Sequence, residues 1–355
     1  MAAKDRESKK KKILKKVVLT SLFTIFLSAA GIICYVNKQL NNVKVNPLPN
    51  VNEELGINLK ASENISSKVG AKERNIKQRE NMEDITSIAF FGIDSRKVKS
   101  DIPHSDCIIV TTIDKKRNKI KISSIMRDTY VDVRGHGKTK ITEAYFYGGP
   151  KLAVRTLNEN FNLNIRDYVT VDFKGLTKII DDLGGITVNV KKYEFNEINK
   201  WIKELSEIEN TEYLPIYKEG VQELNGLQAV AYCRIRRVGD GDFERTDRQR
   251  YVLTEIINKI KKLEITKYPS IVSKFLLLVE TSLSKTDIIT LGSKVITSNI
   301  SNIEQQRFPV DGYCKGELIN GIWYLVSKPD LTVLSTQIYE FIFNDIKPMP
   351  KPPLF

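Results

Sequence analysis

Twenty consecutive residues, Val17 to Val36, carry no charge. As a helix rising about 1.5 Å per residue they span roughly 30 Å, one hydrocarbon thickness. Such a run belongs in lipid, and it commits the rest of the chain to one side of a membrane. Eight basic residues (Lys4, Arg6, Lys9 to Lys12, Lys15 and Lys16) stand against Asp5 and Glu7 before it, and only isolated Lys38 and Lys44 follow closely. That asymmetry predicts a cytoplasmic N-terminus and an extracytoplasmic remainder. Two other readings compete. Ser28-Ala29-Ala30 has the small residues of a signal-peptidase site, but the apolar run continues six residues beyond it. Cys34 invites a lipoprotein reading, but Ile33 before it is larger than the usual small residue.

The formal net charge is +13, and close to half of it sits in the first sixteen residues. A polybasic tail beside a span suits anionic lipid. The rest is spread over the exported part with no helix-turn-helix or zinc pattern, which excludes nucleic acid as the expected partner. Four cysteines (Cys34, Cys107, Cys233, Cys314) are too dispersed for a metal motif and too few for a disulfide framework. Cys107 and Cys233 lie in strand-like runs and read as buried thiols.

Asn37 to Glu83 is polar without a sustained apolar period and reads as a stalk. From Asp84 the texture changes. Thr86 to Asp94, Cys107 to Asp114 and Lys119 to Met126 are β-rich runs separated by turn residues. Helices are expected at Pro150 to Phe161 and after Asp172, where the stripe Phe173, Leu176, Ile179, Ile180 and Leu183 ends at Gly184-Gly185. Tyr168 to Phe173 and Ile186 to Val190 read as strands, and Asn196 to Lys218 as a polar, Glu-rich insertion. Further helices fit Asn225 to Ala231, Glu244 to Leu263, Tyr268 to Thr281, Thr286 to Ser298 and Leu331 to Phe343. Strands interleaved with helices predict one α/β domain, a central mixed sheet covered by helices, behind one N-terminal transmembrane helix. The expected divisions are residues 1–16 (basic tail), 17–36 (span), 37–83 (stalk), 84–346 (folded domain) and 347–355 (Pro-rich tail).

Arg234 to Arg250, RIRRVGDGDFERTDRQR, holds six arginines and no lysine in a chain with 40 Lys and 16 Arg. That choice selects the planar fork that matches phosphate oxygens. Arg234 and Arg236 share a face with Tyr232 if the stretch is extended. Arg245 and Gln249 share a helical face, and positive charge in an opening turn opposes the dipole unless an anion sits there. The plainer reading is a solvated face paired with Asp240, Asp242 and Glu244.

A second constellation is acidic. Asp94 closes one strand and Asp106 opens another; if the strands are neighbours, both carboxylates lie at one sheet edge. Two carboxylates with phosphate oxygens and water suit Mg²⁺, and a pair of loop caps is the even alternative. Arg127 ends a third strand and, alone, reads as an ion pair with Asp128. Lys138 and Lys140 follow. Gly137-Lys138-Thr139 is not a P-loop, because Asp132 occupies the first glycine's place. With only His104 and His136 in the chain, and no nucleophile elbow, Ser-His-Asp chemistry is not expected. The apolar run Ile271 to Val279 reads as core, with a prenyl channel as the alternative.

Together FFGIDSR (Phe90 to Arg96), SDCIIVTTID (Ser105 to Asp114), Ile122 to Pro150, Tyr168 to Val190 and Gly220 to Arg250 resemble the LytR–CpsA–Psr family of bacterial cell-wall enzymes. The resemblance covers about Asp84 to Leu263. It implies a membrane-anchored phosphotransferase that moves a glycopolymer, such as teichoic acid or capsular polysaccharide, from a polyprenyl diphosphate carrier onto peptidoglycan. Residue by residue it implies Asp94 and Asp106 as Mg²⁺ ligands. Arg127, Arg234, Arg236, Arg245 and Gln249 surround the diphosphate, the arginines acting in catalysis, and Lys140 stands as a further contact. Met126 replaces a usual proline, Thr142 a usual asparagine and Glu244 a usual glycine; Glu244 puts an acid beside the diphosphate arginines. A carrier-binding protein, a pyrophosphatase and a membrane-bound regulator are the rival readings. The general base is open between Asp128, Asp242 and none.

Overall fold

The computed structural model describes residues 44–58, 85–94, 103–264, 267–297, 300 and 302–354. The 17–36 run and the basic tail lie outside them. Among the described residues no helix is long and apolar enough to cross a membrane.

The strands are β1 (Lys44–Val45), β2 (Ile85–Ile93), β3 (Ser105–Asp114), β4 (Lys119–Ile125), β5 (Tyr130–Val133), β6 (Gly137–Lys140), β7 (Asp167–Asp172), β8 (Ile186–Val190), β9 (Gly220–Leu224), β10 (Val279–Thr281), β11 (Asn302–Phe308), β12 (Cys314–Ile319) and β13 (Ile322–Ser327). The α-helices are α1 (Ile141–Phe161), α2 (Phe173–Asp182), α3 (Phe195–Glu209), α4 (Gly226–Arg234), α5 (Asp242–Lys261), α6 (Tyr268–Leu276), α7 (Lys285–Thr297) and α8 (Leu331–Phe343). Seven strands form one sheet in the order β1-β10-β7-β2-β3-β4-β11. β7 with β2 and β4 with β11 pair in parallel, and β2-β3-β4 pair antiparallel, so the sheet is mixed as expected.

Side-chain alternation gives the sheet two coats. Ala89, Phe91, Ile108, Val110 and Ile125 pack with α1 and α8. Ile109, Ile113, Ile120 and Ile122 face the other way, against Leu253 and Ile257 of α5. Lys121 is fully buried on the first side. Its ammonium donates to the Phe341 and Ile342 carbonyls at 2.9 and 3.1 Å and meets Asp345 at 2.9 Å, closing the orphaned end of α8.

Four expectations change. The polar stalk does not extend through residues 44–58: β1 joins the sheet beside β10, and Leu55 and Ile57 lie in the main core. The Asn196–Lys218 insertion is mostly α3, whose Ile198, Ile202 and Leu205 form a narrow buried stripe among Lys and Glu. The helix from Tyr268 ends at Leu276, and Val279–Thr281 becomes a strand paired with β7. The connecting turn sets the Leu278 carbonyl only 2.5 Å from where a Cβ on Gly175 would stand, so that helix and turn meet only over a glycine. Finally, α4 carries Tyr232 to Arg234, so Cys233 is helical and Arg234 and Arg236 do not alternate on an extended segment.

Helix α1 is broken. Gly148 and Gly149 have non-helical backbone angles, Gly149 with φ 61°, and Pro150 restarts the helix. The expected proline start therefore stands, preceded by a separate turn from Ile141 to Tyr147. The Pro-rich tail folds back: Lys351 N–H donates to the Asp311 carbonyl at 2.9 Å.

Candidate functional site

The site forms where β2 ends and β3 begins. The antiparallel register shifts there: Gly92 faces Cys107 and Ile93 faces Ser105, leaving Asp106 as an extra, bulged residue. A bulge re-aims the side chain it carries. It brings the Asp106 carboxylate to the sheet end where Asp94 follows β2, the juxtaposition expected from sequence. A Cβ on Gly92 would stand 2.9 Å from that of Cys107, so glycine permits this close pairing. Beneath Asp106, Thr142 Oγ1 donates to the Ser105 carbonyl at 2.8 Å and ties α1 to the bulge.

The arginines arrive from three other elements. Arg127, just past β4, contacts the Asp106 carboxylate. Arg234, the last residue of α4, reaches Asp94 at 3.5 Å. Its guanidinium carbon sits 4.2 Å from the Trp201 ring centroid and 4.7 Å from that of Phe173, a cation held between π faces. Arg236 and Arg245 share Asp242, at 3.3 and 2.7 Å. Burial pulls the Arg245 pKa below its ordinary value; Asp242 and Asp106 oppose that, while Arg127 and Arg236 reinforce it. Arg127, Arg236 and Asp106 are thus all within electrostatic reach of Arg245. Arg127 Nε and Arg245 Nε are buried with no hydrogen-bond acceptor among the described residues. Unspent buried donors on clustered cations are what an anionic ligand would satisfy.

Lys140, before α1, meets Asp128 at 2.8 Å and lies over the Tyr324 ring at 6.0 Å. Both candidate bases are thus committed, Asp128 to Lys140 and Asp242 to two arginines. Not every arginine of the run belongs to the site. Arg248 is spent on Glu194 (2.7 Å), Glu244 (2.6 Å) and the Ile235 carbonyl (3.0 Å), and Arg250 contacts Asp247. Glu244 also accepts from Tyr193 at 2.8 Å. Its carboxylate is thus engaged by Arg248 and Tyr193.

Gln249 and Asp106 both line a cavity of about 100 Å³ whose other walls include Cys107, Leu176, Val252 and Leu253. It lies between the sheet and helices α2 and α5, not along Ile271–Val279, whose Ile271, Phe275, Leu278 and Val279 pack as core. Burial pushes the Cys107 thiol up to about 12 and Cys233 upward too, so both remain protonated and apolar. The sequence missed Asp242 as organiser, Trp201 and Phe173 as clamps, and the cavity walls. Asp242 reads from the sequence only as an ion-pair partner or base, Phe173 and Leu176 only as apolar stripe and Cys107 only as a buried thiol, while Trp201 carries no such signal.

A basic, phosphate-matching ring beside an apolar slot defines a protein for a lipid-linked anion. The chain belongs to the LytR_cpsA_psr family, whose profile matches residues 55–340. It is 32% identical over 279 residues to the polyisoprenyl-teichoic acid–peptidoglycan teichoic acid transferase TagU of Oceanobacillus iheyensis, covering 75% of this chain and 79% of that one. The crystal structure of Bacillus subtilis TagV superposes with a TM-score of 0.58 at 30% identity, over 75% of this chain and 99% of that one. A structure of TagT with bound octaprenyl pyrophosphate lipid gives 0.54 at 26% identity, over 74% and 92%.

Proposed function

We propose that this protein transfers a glycopolymer from a polyprenyl diphosphate carrier to a sugar hydroxyl of peptidoglycan, forming a phosphodiester. The carrying observation is the set of arginines held around an apolar cavity's polar end: Arg127 on Asp106 and Arg234 against Phe173, both cavity-lining residues, with Arg245 and Arg236 sharing Asp242 beside them. The naming of TagU and the lipid bound to TagT support the same substrate class.

In this reading the cavity takes the first part of the prenyl tail, and the arginines and Gln249 hold the diphosphate, with Lys140 at the rim. The acceptor hydroxyl attacks the phosphorus that bears the sugar. A new P–O bond forms, the bridging P–O bond breaks, and prenyl monophosphate departs; the hydroxyl proton passes through solvent to that phosphate. The guanidinium groups stabilise the charge gathering on the leaving oxygens. Positioning supplies the rest, since neither Asp128 nor Asp242 stands free as a base.

Asp94 and Asp106 offer hard oxygen donors at one sheet end, a set that fits Mg²⁺ completed by phosphate oxygens and water. Among the described residues no three His, Cys, Asp or Glu side chains gather as a metal cage, in keeping with an ion shared with substrate. Mg²⁺ bound there would neutralise diphosphate charge. Residues 17–36 would anchor the domain on the outer side of the membrane, within reach of the lipid carrier.

The test is turnover of a polyprenyl-diphosphate-linked sugar with peptidoglycan oligosaccharide. Arg127→Ala, Arg234→Ala and Arg245→Ala each remove a charge-assisted contact of roughly 1.5–3 kcal/mol, so losses of about tenfold to a hundredfold are expected. Arg→Lys restores little, for want of the fork. Asp94→Asn raises the Mg²⁺ concentration needed for half-maximal rate. Free sugar phosphate released equally without acceptor would make the protein a pyrophosphatase, and lipid binding without product a carrier-binding protein.

A further inference from the structure

An in-line displacement puts entering and leaving oxygens on opposite sides of phosphorus. The cavity lies on the α2–α5 side of the sheet, so the leaving prenyl phosphate departs on that side. The attacking hydroxyl then enters from the α1 side.

On that side, starting two residues before Asp106, the protein carries a ridge of four rings. His104 stacks on Phe146 with centroids 4.7 Å apart and planes 7° apart. His136 stacks on Tyr147 at 4.0 Å and 1°, and Phe146 meets Tyr147 edge-on at 5.6 Å. His104 Nε2 lies 3.1 Å from a Glu143 oxygen. Phe146 and Tyr147 are nevertheless 37% and 40% exposed. The rings come from the strand lead-in, the β5–β6 turn and the short first segment of α1, which Gly148 and Gly149 cut off from the rest. A single exposed aromatic is ordinary. Four rings from three elements, stacked into one surface that begins beside a site carboxylate, form a built platform.

We propose that the His104–Phe146–Tyr147–His136 ridge is the docking surface for the acceptor glycan strand, a chain of N-acetylhexosamines. This rests on the transferase reading. The C–H face of a pyranose is apolar and complements the negative face of an aromatic ring, and Glu143 and the histidines supply polar partners for hydroxyl and acetamido groups at the edge. A membrane contact fits less well: Phe146 and Tyr147 lie flat against histidines, and the Glu143 carboxylate beside them would meet anionic lipid unfavourably.

Calorimetric titration of the full chain in nanodiscs with a peptidoglycan-derived tetrasaccharide, without donor, reads the ridge directly. Phe146→Ala and Tyr147→Ala should each weaken binding about tenfold, the scale of losing one ring stack. Tyr147→Phe should retain it, as should Arg234→Ala. Affinity for polyprenyl diphosphate and the melting temperature should hold in both alanine variants. Unchanged tetrasaccharide affinity overturns the proposal. So does a loss confined to polyprenyl-diphosphate-linked sugar, which would make the ridge a donor surface, or a loss confined to vesicle binding. Because no donor is present, failure of wild-type transfer would count against the transferase reading and not against the ridge.

Discussion

Arg234 shows how this protein makes a cation both fixed and available. Two aromatic faces hold its plane, Asp94 and Glu204 draw on its edges at 3.5 and 3.9 Å, and its charge stays turned to the sheet end. Asp242 does comparable work for Arg236 and Arg245, whereas Glu244, two residues on, serves Arg248 and Tyr193. The two acids should separate cleanly by mutation. Asp242→Asn releases Arg236 and Arg245 from their shared carboxylate and should cut turnover about tenfold or more, by analogy with one lost charge-assisted bond. Glu244→Gln should leave turnover within about threefold and cost about 1 kcal/mol of stability, read by urea unfolding. Equal kinetic damage from both would mean that Glu244 belongs to the site. Chemical type was legible in the sequence here, because arginine is scarce and its concentration in one segment names phosphate. Partner choice was not legible. Arg248 and Arg245 are neighbours one turn apart on α5 and differ in the acids they meet, which depends on where Glu194 packs.

Elements with a clear apolar period emerged within a few residues of expectation; α8 and the stripe of α2 are examples. Elements hidden in polar sequence did not. α3 buries only one side, so its three buried apolar residues are outnumbered by Lys and Glu, and it carries Trp201 to Arg234. Val279–Thr281 followed a helix without a breaker, and only the open edge of β7 made it a strand. The acidic pair was visible because each carboxylate ends or begins a strand. The bulge that aims Asp106 was invisible, since an extra residue shows only against its partner strand.

The whole molecule divides labour across one sheet. The α2–α5 side holds the apolar cavity, the sheet end holds charge, and the α1 side holds an aromatic surface. A membrane-anchored enzyme working on a lipid carrier would have this order, and its anchoring is open to direct test. In a background without native cysteines, Ser62→Cys should react with an impermeant maleimide on intact cells, and Ser8→Cys only after lysis. The opposite pattern would put the domain in the cytoplasm, away from peptidoglycan, and remove the proposed reaction. The proposed grip of the sheet end on a prenyl diphosphate, with its two sides assigned, is open to a crystal structure of the folded domain with polyprenyl diphosphate. The diphosphate should lie against Arg127, Arg234 and Arg245, with the tail entering past Cys107, Leu176 and Val252. A tail running over the α1 side, or a diphosphate away from those arginines, would contradict it.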